Sequence, residues 1–190
     1  MGAKTPNEAD RRVQRTRRTL REALIALMIE RGWDAVSVQD VCERANVGRS
    51  TFYTHFADKE ELLVGGFEDL RRMIRAQLAS ATSPTEPLRF ARGIIEHAYE
   101  NQRLFRALVG KRSGQLVLTR FRELIVDLVQ EDLSPVCQPG PRKDAVAHFI
   151  AGAFLELLAW WLEGRSPLLP ADVEQLFLQL AKSALEVVRN

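Results

Sequence analysis

The chain has 190 residues, 46% of them hydrophobic, with 27 Lys and Arg against 25 Asp and Glu and a net charge of +2. That length suits one domain, or a small domain fused to a larger one, and the apolar share suffices for a buried core. Bulk charge this close to balance gives no basis for nucleic-acid binding, and two cysteines exclude a disulfide framework, so the placement of charge has to decide.

Within residues 1–31 eight basic side chains (Lys4, Arg11, Arg12, Arg15, Arg17, Arg18, Arg21, Arg31) outnumber four acidic ones (Glu8, Asp10, Glu22, Glu30). Residues 1–14 read as a flexible basic arm able to follow a phosphate backbone or enter a minor groove. The plain alternative is a solvated terminus. The polar N-terminus shows no signal-peptide pattern, and Cys42 and Cys137 fit a reducing compartment, so a cytoplasmic location is expected. Leu20, Leu24, Leu27 and Met28 recur at helical spacing and predict a first helix ending at Gly32. Trp33, Val36 and Val38 are expected to pack beneath the helix that follows.

Residues 37–63, SVQDVCERANVGRSTFYTHFADKEELL, read as two short helices around a tight turn, then the start of a longer helix. Ser37 is a good N-cap, and Asp40 sits three residues on, where the helix dipole favours negative charge. Val38, Val41 and Ala45 make the buried stripe. Asn46 tolerates the left-handed conformation that ends a helix. The next helix starts at Gly48 or Arg49. Phe52 and Phe56, four apart, share a face and point to the core. Ser50, Tyr53 and Thr54 occupy the opposite face, with Arg49, Thr51 and His55 towards its sides. Arginine can read guanine bidentately, and hydroxyls reach phosphates or base edges. Asp58 caps the third helix. Lys59 stands at its start, against the local dipole, which suggests a phosphate partner. A generic helical hairpin with a polar face is the bland alternative.

Roughly residues Arg17–Leu63 resemble the tetracycline-repressor (TetR) family of bacterial transcriptional regulators. The resemblance rests on TRRTLREALIALMIERGWDAVSV, VQDVCERANV and GRSTFYTHFADKEELL, with Phe52, Tyr53, His55, Phe56, Lys59, Glu60 and Leu63 in the family's register. It implies that Arg49, Ser50, Thr51 and Tyr53 face the DNA groove. It implies that Tyr53, His55 and Lys59 hold phosphates, and that Ser37 and Gln39 touch the backbone or an outer base. Asn46 replaces the glycine usual in the turn, and Gly48 replaces the usual serine cap.

The helix opening near Asp58 is expected to run to about Ala79, with a break at Ser80–Pro87. Further helices are predicted over Pro87–Glu100, Gln102–Val109 and Ser113–Leu133. Ser134–Arg142 reads as a loop. Lys143–Glu163 and Ala171–Arg189 are the last two helices. Ala145, Phe149, Gly152, Ala153, Leu157, Trp160 and Trp161 make the first of these apolar almost all round, so it wants burial on more than one side. It carries His148 and Glu156 and reads as a buried helix, with no membrane span expected. Leu176, Phe177, Leu180, Ala184 and Val187 stripe the last helix. Two such hairpins would form a four-helix homodimer interface through Phe149, Leu157, Trp160, Trp161, Phe177, Leu180 and Ala184. The alternative is that both helices complete a monomeric core. The AWWLEG segment and the helix layout extend the family resemblance into this half.

The fold expected is all-α. An N-terminal three-helix helix-turn-helix DNA-binding domain (15–62) precedes a C-terminal helical ligand-binding and dimerisation domain (63–190). Phe90, Ile94, His97, Tyr99, Phe105, Phe121, Ile125 and Phe154 are candidate pocket residues for a small apolar or aromatic effector, ordinary core packing being the competing explanation. Catalytic residue sets, metal-ligand spacings and phosphate-binding glycine loops are not found, so neither an enzyme nor a cofactor is expected. The expectation is a homodimeric repressor on double-stranded DNA with an inverted-repeat operator. The competing reading is a TetR-like co-activator that works mainly through protein contacts.

Overall fold

A computed structural model describes residues 8–80, 87–109, 114–135, 137–164 and 166–189. Among these residues the chain forms helices and no strand: α1 (Glu8–Arg31), α2 (Val38–Ala45), α3 (Arg49–His55), α4 (Lys59–Ser80), α5 (Phe90–Glu100), α6 (Gln102–Val109), α7 (Gln115–Leu133), α8 (Pro141–Glu163) and α9 (Pro170–Arg189). The all-α expectation holds. The chain divides into two compact units at the Gly66–Phe67 junction, inside α4 and four residues beyond the boundary expected from the sequence.

Residues 8–14 correct the expectation of a flexible arm, because they are the first turns of α1. Glu8 and Asp10 supply negative charge where the helix dipole favours it, and the arginines and Gln14 are good helix formers. Residues 1–7 of the expected arm lie outside the described residues. Residues 11–15 are all exposed, and the helix first meets the core at Leu20.

In the first unit Leu20, Leu24 and Leu27 of α1, Val41 of α2, Phe52 of α3 and Leu62 of α4 are buried together with Phe56. Burying each such side chain contributes about 1.5–3 kcal/mol. Two ion pairs fasten α1 to α2: Arg44 grips the Glu30 carboxylate through both terminal nitrogens, at 2.8 and 2.7 Å, and Arg31 reaches Asp40 at 3.1 Å.

In the second unit α8 packs most extensively against α7 and α9. Its length and apolarity alone would suit a membrane span, yet half of its most apolar window is buried inside the protein. Ala147, Ile150, Ala151, Phe154 and Leu158 supply that buried side. α5 lies close to the second half of α4 because residue 93 is glycine. A Cβ there would stand 2.6 Å from Gln77 Oε1 and 2.7 Å from Ile74 Cδ1. α5 starts at Phe90, three residues later than predicted, because Leu88 takes a left-handed backbone with φ 61°. The backbone of Arg89 and Leu88, just ahead of α5, lies against the Asp132 carboxyl of α7 and favours its charged form. Burial pushes that carboxyl above its ordinary range.

Candidate nucleic-acid interface

The α2–α3 turn is built by local chemistry. Ser37 Oγ accepts the Asp40 N–H at 3.2 Å, and the Asp40 carboxylate accepts the Ser37 N–H at 2.8 Å, a complete capping box with Asp in the place of Glu. The Ser37 hydroxyl and N–H, and then Arg31, hold the Asp40 carboxyl down at about 2, against the opposing effect of burial. Asn46 ends α2 in the left-handed region at φ 51°, and the Val47 N–H closes the turn on the Cys42 carbonyl at 3.0 Å. Gly48 is the N-cap of α3 and gives it no side-chain hydrogen bond.

α3 is therefore held from beneath. Phe52 and Phe56 are buried with their rings 5.9 Å apart, and the Arg17 guanidinium of α1 lies 4.9 Å from the centre of the Phe56 ring. The outward face of α3 exposes Arg49, Ser50, Thr51, Tyr53 and Thr54, with His55 half-buried at its end. Ser37 and Gln39 are exposed at the start of α2. The Arg49 guanidinium lies 6.0 Å from the centre of the Tyr53 ring, and the phenol beside it raises the Arg49 pKa. Thr54 Oγ1 donates back to the Ser50 carbonyl at 3.0 Å, so that hydroxyl proton is committed to the helix. Because Arg31 and Arg44 are paired within the unit, Arg49 is the cation that α3 offers outward.

Lys59 departs from its expected place. Its ammonium donates to the carbonyls of Trp33 at 3.0 Å and Val36 at 2.7 Å, and lies 4.3 Å from the centre of the Trp33 ring. Burial pushes its pKa down. Two of its three N–H donors are spent on the α1–α2 connection, which makes Lys59 a brace of that connection first.

Glu43 is not among the residues expected from the sequence, and Asn46 is expected there only as the end of α2. Glu43 and Asn46 join Gln39 and Arg49 in lining an open groove of about 420 Å³ between α2 and α3, with the buried Cys42 at its base. The four-residue spacing of Gln39 and Glu43 was the available signal, since it places both on one helix face.

In the second unit the candidate pocket residues fall into two ring clusters. Phe90 meets Phe154 at 5.4 Å, and both touch Phe177. Phe105 meets Phe121 at 5.9 Å and the His97 ring at 5.6 Å, while Phe67 stacks on Phe121. Ile94 and Ile125 are buried. His97 is half-buried, burial pushes its pKa down, and the Asn101 amide stands 3.2 Å from its Nδ1. Tyr99 corrects the expectation: it is 46% exposed and stacks outside on Trp161. α5 turns Ile94, Ile95 and Ala98 inward, and the residue after Ala98 is carried to the rim.

The expected dimer face is corrected at two positions. Trp161 is buried, its indole N–H donating to the Leu168 carbonyl at 3.0 Å, and Phe177 is buried against Phe90 and Phe154. Both complete the protomer's own core. Adjacent helical residues point about 100° apart, so burying Trp161 sends Trp160 outward. Phe149 (63%), Trp160 (51%) and Leu180 (65%) are exposed, while Leu157 and Ala184 are half-buried.

Comparison with known proteins places these features. The family described as "Bacterial regulatory proteins, tetR family" matches residues 20–64, and the "Transcriptional regulator C-terminal region" matches residues 85–183. An uncharacterized HTH-type transcriptional regulator of Bacillus subtilis, YxbF, is 36% identical over 80 residues, covering 42% of this chain and 21% of that protein. The match thus spans about a fifth of that relative's length. A TetR transcriptional regulator from Streptococcus agalactiae is 30% identical with a TM-score of 0.67, over 91% of this chain and 97% of that one. FadR of Thermus thermophilus, a TetR-family repressor solved in complex with lauroyl-CoA, is 20% identical with a TM-score of 0.55, over 90% and 93% of the two chains. At that identity it shares the fold alone.

Proposed function

We infer that this chain, which belongs to the tetR family of bacterial regulatory proteins, is a DNA-binding transcriptional repressor that reads an inverted-repeat operator as a homodimer and releases it on binding a small apolar or aromatic effector. The observation that carries the reading is the two-sidedness of α3. Phe52 and Phe56 fix it to the core, while Arg49, Ser50, Thr51 and Tyr53 stand exposed in a row of groove-reading side chains. A helix presented in this way fits the major groove, where bidentate arginine contacts specify and hydroxyls position on phosphates.

One such helix per chain reads half of a site, so a two-fold partner is needed. The exposed apolar side chains Phe149, Trp160 and Leu180 on α8 and α9 are the surface proposed to meet it. Half-site centres would then lie about 34–36 Å apart or at a multiple of that.

The effector is assigned to the aromatic clusters around Phe90, Phe105, Phe121 and Phe154, whose rings offer an apolar lining. These rings now touch each other, so a ligand entering between them has to part them. Ligand binding and rearrangement of the second unit are then one event, which is what a population shift requires. α4 begins in the first unit and ends in the second, and it is the covalent path for the change. A co-activator that docks a protein through Trp160 would leave the exposed set on α3 without a task.

Selection from a pool of random DNA duplexes tests the reading. The expected product is an inverted repeat with the spacing given above, bound by a dimer. Enrichment of no sequence would contradict it.

A further inference from the structure

The groove between α2 and α3 holds an arrangement that a non-specific DNA contact would not need. Gln39 and Glu43 stand one turn apart on α2, both exposed, and the Gln39 amide nitrogen donates to Glu43 Oε1 at 2.9 Å. Both line the groove with Asn46 and with Arg49 of α3. Cys42 senses both charges of the groove: Arg49 lowers its pKa and Glu43 raises it, while burial dominates.

A carboxylate at this place is repelled by every phosphate, so it weakens binding to any sequence. It is useful only against a base edge. In the major groove adenine and cytosine present an exocyclic amine, whereas guanine and thymine present a carbonyl oxygen. With its NH2 group turned to Glu43, Gln39 keeps its own Oε1 as an acceptor for another partner. Glu43 has a second carboxylate oxygen that can accept from a further donor. Two acceptors are then available to a base: an amine satisfies them, and a carbonyl oxygen leaves them opposed and desolvated. Discrimination of this kind works by rejecting the wrong base as much as by holding the right one.

We propose that the Gln39–Glu43 pair is a specificity element that selects adenine or cytosine on the strand facing α2, with Glu43 the residue that sets the choice by fixing the Gln39 amide. This rests on the regulator reading above, and it adds to the recognition helix a second point of base selection. The arrangement also predicts that Glu43 costs overall affinity while adding discrimination.

The test is equilibrium binding of the full-length chain, wild type and E43Q, to the selected operator and to all four bases at each half-site position. One position should prefer adenine or cytosine over guanine and thymine by about ten- to a hundredfold in the wild type. E43Q should reduce that preference to a few fold at this position alone while strengthening binding to every duplex. Q39A should abolish the same preference without the general gain. Changes by one common factor across all bases and positions would make Glu43 a charge only, and would overturn the inference while leaving the regulator reading intact. Failure of the wild type to prefer any duplex would overturn both. Thermal unfolding of E43Q alongside the wild type separates either result from loss of fold.

Discussion

The Lys59 ammonium stands 4.3 Å from the centre of the Trp33 ring and donates hydrogen bonds to the carbonyls of Trp33 and Val36 at 3.0 and 2.7 Å. Charged hydrogen bonds of this kind contribute about 1.5–3 kcal/mol each when buried, and less where water reaches them. Lys59→Met should therefore destabilise the free protein by about 1–3 kcal/mol, read as a lower urea midpoint without DNA. Unchanged stability with weaker DNA binding would return Lys59 to a phosphate role alone.

Arg49 is the outward cation of α3 and lies beside the Tyr53 ring. If it reads a base, Arg49→Ala should cost about 1–3 kcal/mol on the operator and relax preference at one position per half-site. Competition binding with single-base operator variants measures this. An equal loss on every variant would assign Arg49 to the backbone.

Asp40 links the cap of α2 to α1 through Ser37 and Arg31. Its folded pKa of about 2 lies below the ordinary 3.8, so the folded state releases this proton more readily than the unfolded chain does. The stability this contributes is complete above the ordinary value and is lost as pH falls from there through about 2. Asp40→Asn should lower stability at neutral pH and flatten that part of the acid decline. Urea midpoints at several pH values provide the comparison, and parallel curves for the two proteins would contradict the linkage.

On α9, Phe177 and Leu180 lie three residues apart and do different work. Phe177 is buried among rings, and Leu180 is 65% exposed. Phe177→Ala should destabilise the protomer by about 3–5 kcal/mol. Leu180→Glu should leave the protomer folded and shift the dimer to monomer in sedimentation equilibrium. A Leu180→Glu protein that stays dimeric would move the interface elsewhere.

The contrast among these residues shows what the sequence makes legible. The α2–α3 turn can be read directly because Ser37, Asp40 and Asn46 act on neighbours within a few residues. Phe52 and Phe56 are equally plain, since their spacing sets a helix face. The direction of Lys59 is not readable, because its acceptors lie 26 and 23 residues earlier and are backbone carbonyls of any residue type. α8 is apolar nearly all round, so periodicity does not choose between Trp160 and Trp161. Packing on its neighbours chooses, and it takes Trp161 inward. Leu88 hides for a similar reason: nothing in its side chain signals a left-handed backbone. Side-chain placement is therefore legible where local turns set it, and not where a distant helix decides which face is outward.

Sequence-specific DNA binding through α3 is directly measurable. Fluorescence anisotropy of the purified protein on duplexes from the region flanking its own gene, across a salt series, tests it most directly. The expected result is tight binding to a short inverted repeat that survives unlabelled competitor DNA and weakens steeply with salt as phosphate contacts are screened. Weak binding, equal on unrelated duplexes and abolished by moderate salt, would contradict it.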